Sequence, residues 1–221
     1  MGQVSYYVWL TKQFTSPINV AIPSGNFGNA YSAWFGRSHG LKINQIMCTT
    51  NVNDVLKRFI DSGILEPQTT KPSVAPSMDI QIPSSLERLI YDFESDATSF
   101  YQDLNEDKKA TLSEGSREKL QHIFSSQTFD DEKIKEEIKT FNDLFSIVFD
   151  PHTVTSLRMA IDINSSVPTV AVATASPEKF SNVISPLIED FPGSDIDQDE
   201  DFETLEPQKD QIIESIKAKF S

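Results

Sequence analysis

The chain has 221 residues, 38% of them hydrophobic, and a formal net charge of −14. That length and composition describe a soluble globular chain able to bury a core in one domain or two small ones, and its acidity repels nucleic acid. No apolar run approaches the roughly 20 residues of a membrane span, no basic-then-apolar leader opens the sequence, and the lone Cys48 rules out an internal disulfide and fits a reducing, cytoplasmic setting.

Residues 3–14 read as a helix that begins almost at once. A large aromatic helix with no element before it makes this start look internal. Residues 18–22, Ile-Asn-Val-Ala-Ile, form a short buried strand between Pro17 and Pro23. The run Pro23 to Asn29 is a glycine-containing turn leading into a helix from Ala30 to Ser38, which Gly40 closes. Residues 43–48 make a second strand. Asn53 then caps a helix carrying Val55, Leu56, Phe59 and Ile60 on one side, ended by Gly63. Strand, loop, helix, strand and helix in this order predict an open parallel sheet with helical crossovers.

Residues 66–77, rich in Pro, Thr and Ser, form a loop. Leu86, Leu89, Ile90 and Phe93 mark the next helix, and the charged stretch from about Asn105 to Phe149 continues helically, with Ile134, Ile138, Phe141 and Phe145 as its apolar stripe. Residues 86–149 are thus predicted to be a helical insertion. Residues 169–173 are a third strand, with Pro168 placed where it costs the ladder least. Between Glu189 and Glu203 lie eight acidic residues and no basic one, a solvated loop ahead of a last helix over about 207–220. The expected division is 1–181 as one α/β unit and 182–221 as acidic loop and C-terminal helix.

Two places carry chemistry. In Ser24-Gly25-Asn26-Phe27-Gly28-Asn29 the glycines allow a tight turn that brings several N–H groups together. The helix that follows adds its positive dipole end, and Ser24, Asn26 and Asn29 add side-chain donors; the product is a cradle for a phosphate dianion. The same residues also suit an ordinary strand-to-helix turn. Thr174, at the end of the third strand, emerges at the same carboxyl edge if that strand is parallel to the first, and its hydroxyl suits a heteroaromatic nitrogen. A threonine there is also a common turn residue.

Six ordered blocks give these features a family context: Ser24 to Asn29; Thr50-Asn51-Val52-Asn53-Asp54-Val55-Leu56-Lys57-Arg58-Phe59; Pro76-Ser77-Met78-Asp79-Ile80; Ser85 to Leu89; Asp150-Pro151-His152-Thr153; and Ala173-Thr174-Ala175-Ser176-Pro177-Glu178-Lys179-Phe180. In this order the series resembles threonine synthase, and residues 1–181 resemble the C-terminal part of its catalytic domain. The resemblance implies the fold-type-II architecture of pyridoxal 5'-phosphate (PLP) enzymes, of which this chain would hold part of the large domain. It implies PLP as cofactor and conversion of O-phospho-L-homoserine and water to L-threonine and phosphate. Carried over, Gly25, Asn26, Phe27, Gly28 and Asn29 hold the cofactor's phosphate, with Ser24 the weaker candidate, and Thr174 faces the pyridine nitrogen. Asn51, Asn53, Asp54, Arg58 and His152 fall on the substrate side, although Asn53 also reads as a helix cap, Arg58 as a solvated helix residue and His152 as a loop anchor.

The family also needs a Schiff-base lysine, in a Phe-Lys-Asp-like context ahead of the phosphate loop. None of the fourteen lysines here has that context. The chain therefore reads as a fragment, inactive alone, whose partner is the missing N-terminal half. A threonine-synthase-like phospholyase yielding a 2-oxo acid, and a non-catalytic phosphate-binding remnant, stay open as alternatives. His39 ends a helix and His122 lies on a charged one; no Cys/His spacing suggests a metal site.

Overall fold

The sheet is built in chain order from short segments, most of them apolar. In the computed structural model, which describes residues 2–191 with Gln208, Ile213 and Lys217, α1 (Val4–Thr11) leads into β1 (Ile18–Pro23), α2 (Gly28–Ser38), β2 (Ile43–Thr50) and α3 (Val55–Ser62). A long excursion follows: β3 (Ile64–Leu65), a 3₁₀ turn at Pro76–Met78, α4 (Leu86–Glu94), α5 (Thr98–Asp107), β4 (Ala110–Thr111) and α6 (Glu114–Ile123). The chain returns through β5 (Phe124–Thr128), α7 (Asp131–Phe145), α8 (Thr153–Asp162) and β6 (Thr169–Ala171), then a 3₁₀ turn at Pro177–Phe180 and the short α9 (Ser181–Ile184). The acidic loop from residue 192 onward and the expected last helix, apart from Gln208, Ile213 and Lys217, lie outside the described residues.

The main sheet has the order β5-β2-β1-β6, and its pairings are all parallel. Central β1 is buried along almost its whole length, which is why its sequence is a near-continuous apolar run. Its side chains alternate between two cores. Val20 and Ile22 pack with Phe27, Phe59 and Phe124 on one face, while Ala21 meets Met47, Ile138, Phe141 and Val154 on the other. Helices therefore cover both faces, as an open parallel sheet requires. Among the described residues, no helix is long and apolar enough to cross a membrane.

Three details depart from the sequence reading. The stretch expected to be helical between residues 86 and 149 contains β5, which pairs with β2 through Cys48 and Ser126 and makes the sheet four-stranded. Its sequence, Phe-Ser-Ser-Gln-Thr, has no apolar period because the strand lies on an edge and is only half-buried. Asn53 is not the cap of α3: Asp54 holds that position, and the Asn53 amide donates instead to the Lys71 carbonyl at 2.8 Å. Helix α2 begins at Gly28, two residues earlier than expected, so the glycine turn runs directly into its first turn.

Two buried carboxylates make folding sensitive to acid. Glu137 on α7 is 1% exposed and accepts from Arg158 of α8 at 2.8 Å and from Lys133 at 2.9 Å. Burial pushes its carboxyl up, yet the hydrogen bonds and charges of Arg158 and Lys133 prevail and hold it below the ordinary glutamate value. Asp150 shows the same balance, with burial opposed and outweighed by hydrogen bonds from His152 and Thr153. A carboxyl held low in the folded state contributes stability above its unfolded value, and that contribution is lost as pH falls through the lowered folded value. The urea midpoint is therefore expected to stay level from about pH 7 to 5 and to fall below about pH 4. The fall should be shallower in a Glu137→Gln, Asp150→Asn double variant. Parallel pH curves for the two proteins would contradict this.

Candidate functional site

Parallel pairing brings the C-terminal ends of β1, β2 and β6 to one edge, where open α/β sheets bind ligands. Beyond β1 the ladder runs one residue further, as the Ser24 N–H donates to the Thr49 carbonyl at 2.8 Å. The Ser24 hydroxyl turns back onto the Ile22 carbonyl at 3.0 Å, so it serves the strand end. Phe27 then adopts a left-handed backbone, φ 66° and ψ 5°, which a side chain tolerates at a cost of about 1 kcal/mol. Burial fixes it there: the ring is 1% exposed and lies 5.5 Å from that of Phe124.

This turn leaves a row of donors. The first helical bond of α2 runs from the Tyr31 N–H to the Phe27 carbonyl at 2.8 Å. Among the described residues, none accepts a hydrogen bond from the backbone N–H groups of Gly25 through Ala30. Successive N–H groups around a left-handed residue form a concave anion nest, here at the positive end of α2, whose first turn carries no acidic side chain. Two tethers hold its shape. The Tyr7 hydroxyl donates to Asn29 Oδ1 at 2.6 Å, tying α1 to the turn, and the Ser85 N–H donates to the Asn26 carbonyl at 3.1 Å, tying in the start of α4.

The loop over residues 75–80 roofs the nest so closely that only glycine fits at position 25. A Cβ on Gly25 would sit 2.2 Å from the Ser77 carbonyl oxygen. At Gly28 a Cβ would meet Ser85 Oγ at 3.5 Å and Gln3 Oε1 at 3.7 Å, both ordinary contacts. Space, rather than a positive φ, accounts for Gly25.

Thr174 stands on the same edge. The Val172 N–H bonds to the Ala21 carbonyl at 2.9 Å, carrying β6 past its last ladder residue, and the Thr174 N–H then donates to Thr153 Oγ1 at 3.2 Å. The cleft between has two lobes. One, about 240 Å³, is lined by Gln3, Pro23 through Asn29 and Thr174. The other, about 150 Å³, is lined by Pro23, Gly25, Ser77, His152, Thr174 and Ala175, among others. Gly25 and Thr174 border both. A further cavity of about 360 Å³ between α1 and β6 is lined chiefly by apolar side chains such as Trp9, Leu10 and Val170; it shares no residue with the cleft.

The remaining candidates separate into two groups. His152 joins the cleft: it is 3% exposed, its Nε2 accepts from the Ser77 N–H at 3.1 Å, and its Nδ1 meets Asp150 Oδ1 at 2.9 Å. Because a backbone N–H can only donate, the proton resides on Nδ1. Asn51, Asn53, Asp54 and Arg58 line neither lobe. Asn51 donates to Ser73 Oγ and to Asp79 Oδ1, both at 2.6 Å, and Asn53 both donates to and accepts from the Lys71 backbone at 2.8 Å. Arg58 pairs with Asp54 at 2.9 Å and with the Glu66 carbonyl at 2.8 Å. All four anchor the loop that forms the roof. Sequence reading missed Ser77 and Asp150 as parts of the site, since both act through partners more than fifty residues away or through a neighbour's side chain. Among the described residues no lysine lines either lobe, and no cluster suits a metal ion.

No family model matches the chain. It is 31% identical over 193 residues to the threonine synthase of Pseudomonas aeruginosa, covering 83% of this chain and 41% of that protein. It is 28% identical over 178 residues to threonine synthase-like 1 of Homo sapiens, covering 77% of this chain and 24% of that one. Among solved structures, the PLP-bound threonine synthase from Brucella melitensis matches with a TM-score of 0.80 and 29% identity, over 85% of this chain and 42% of the other. The yeast threonine synthase matches with a TM-score of 0.78 and 25% identity, over 96% and 46%. The chain thus spans less than half the length of the threonine synthases it matches. Its sequence is threonine-synthase-like, and its fold is that of the fold-type-II PLP enzymes.

Proposed function

We propose that this chain forms the phosphate and ring-nitrogen side of a PLP site in an enzyme of the threonine synthase type, which converts O-phospho-L-homoserine and water to L-threonine and phosphate. The observation that carries this reading is the row of N–H groups from Gly25 to Asn29, without an acceptor among the described residues, on the same cleft as Thr174. A phosphate monoester dianion needs several donors and no carboxylate beside it, and the nest offers that combination. The Thr174 hydroxyl, on the cleft lining, would donate to a pyridine nitrogen without protonating it. Bound there, PLP supplies an electron sink for bond breaking next to the substrate's amino group. The chain's own part is to bind and orient. The amides of the Gly25–Asn29 turn would hold the phosphate end of the cofactor, Thr174 would hold the ring nitrogen, and the Ser77 roof would keep water from the phosphate. The lysine that such chemistry needs at the cofactor's aldehyde comes from polypeptide outside this chain, and the activity belongs to the assembled enzyme.

The test is a calorimetric titration with pyridoxamine 5'-phosphate, which needs no lysine. One site per chain is expected, with unphosphorylated pyridoxamine bound at least about 100-fold more weakly, the loss of roughly two charge-assisted hydrogen bonds. Inorganic phosphate should compete. Equal affinity for the two amines would reject the reading. For the substrate, assembled enzyme that released 2-oxobutyrate without L-threonine would reject the synthase assignment.

A further inference from the structure

The carboxylate of Asp150 is 1% exposed and both of its oxygens are engaged. Oδ1 accepts from the His152 N–H and from His152 Nδ1, each at 2.9 Å, and more distantly from the Thr153 N–H at 3.4 Å. Oδ2 accepts from the Thr153 hydroxyl. Each of those two neighbours passes the constraint on to a different wall of the cleft. His152 Nε2 accepts from the N–H of Ser77, whose carbonyl oxygen is the atom packed against Gly25. Thr153 Oγ1 accepts from the N–H of Thr174.

An ordinary aspartate at the start of a helix satisfies amides of its own first turn. Asp150 also sets two side chains whose far atoms hold backbone N–H groups on separate segments, 75 and 21 residues from the side chains that accept from them. The direction of each bond is fixed. The Thr153 hydroxyl must donate to Asp150 so that its lone pairs are free for Thr174, and His152 must carry its proton on Nδ1 so that Nε2 is free for Ser77. We propose that Asp150 is a positioning residue that locks the roof over Gly25 and the Thr174 end of the cleft into one geometry, so that phosphate and ring nitrogen are gripped together. The assignment rests on the cofactor reading given above for what the cleft holds, but the coupling it describes is a property of this chain alone.

The experiment reads amide hydrogen exchange and ligand affinity in parallel. Asp150→Asn keeps the size and one acceptor but turns the other into a donor, so the Thr153 hydroxyl loses its acceptor and reverses. Exchange at Ser77 and Thr174 is expected to rise together, by about tenfold beyond any rise at Ile46 and Met47 in the sheet, which follow global stability. Affinity for pyridoxamine 5'-phosphate should fall by about tenfold, and that for inorganic phosphate by less, since only the first spans both walls. Thr153→Val should release Thr174 alone, and His152→Phe should release Ser77 alone. His152→Gln, whose side-chain oxygen can accept from Ser77, should restore slow exchange there. A rise on one arm only, a rise spread evenly with global stability, or an unchanged affinity ratio between the two ligands would overturn the assignment. If both arms loosen in Asp150→Asn while the unaltered chain binds no pyridoxamine 5'-phosphate, the cofactor reading fails and the coupling stands.

Discussion

Gly25→Ala is expected to abolish measurable binding of pyridoxamine 5'-phosphate and to cost about 1–3 kcal/mol of stability, the range for forcing an extra carbon into a filled space. The added Cβ would lie 2.2 Å from the Ser77 carbonyl oxygen, and a backbone atom cannot swing aside as the tip of a side chain can. Relief requires the roof to lift. Lifting it pulls the Ser77 N–H from His152, 3.1 Å away, and opens the nest to water. Chemical denaturation and titration calorimetry measure the two effects. Gly28→Ala is the control: its Cβ has ordinary room and the backbone there is helical, so stability should hold within about 0.5 kcal/mol. Equal behaviour of the two variants would mean that the roof does not press on Gly25 as described.

Asp79→Ala should be the most damaging change outside the cleft, at about 2–4 kcal/mol. Asp79 Oδ1 accepts from Asn51 at 2.6 Å, Asn53 at 3.1 Å and Ser73 Oγ at 2.7 Å, and Oδ2 accepts from the Ser73 N–H at 3.0 Å. Asn51 and Asn53 are fully buried, 0% and 2% exposed, and keep the Ser73 hydroxyl, the Ala75 carbonyl and the Lys71 carbonyl as acceptors, so truncation loosens their hold on the loop and strands the half-buried Ser73 N–H and hydroxyl. Each stranded donor costs about 1–3 kcal/mol, partly recovered by relaxation of the loop. The loop over residues 66–81 should then become the first site of proteolytic nicking, and cofactor-analogue affinity should fall because the roof loses its support. Unchanged proteolysis with lowered global stability would separate the loop from the network.

The legibility of these features in the sequence follows from how local their causes are. The Gly25–Asn29 turn could be read because a buried strand and a helix flank it within six residues, although the atom that demands glycine at 25, the Ser77 carbonyl oxygen, lies far along the chain. Thr174 could be placed because three apolar strand segments imply parallel pairing, and parallel pairing fixes which ends meet. Strand β5 could not be read: Phe-Ser-Ser-Gln-Thr gains its extended form by pairing with Ile46 through Thr50, about 78 residues earlier in the chain. Asn53 suits a helix cap by residue type, yet a backbone 18 residues away claims its amide. For Asn51, Asp54 and Arg58 the resemblance points toward the substrate side, and the bonds they make here run to the loop that follows α3 and to each other. Asp150 stood in a recognisable block, but its link to both walls exists only once β6, α8 and the residue 75–80 loop have come together.

The most direct test of the whole account is a crystal structure of the chain with pyridoxamine 5'-phosphate bound. The account predicts phosphate oxygens within hydrogen-bonding distance of the Gly25–Asn29 amides, and a pyridine nitrogen facing the Thr174 hydroxyl. A ligand seated elsewhere, or one whose ring nitrogen points away from Thr174, would contradict it.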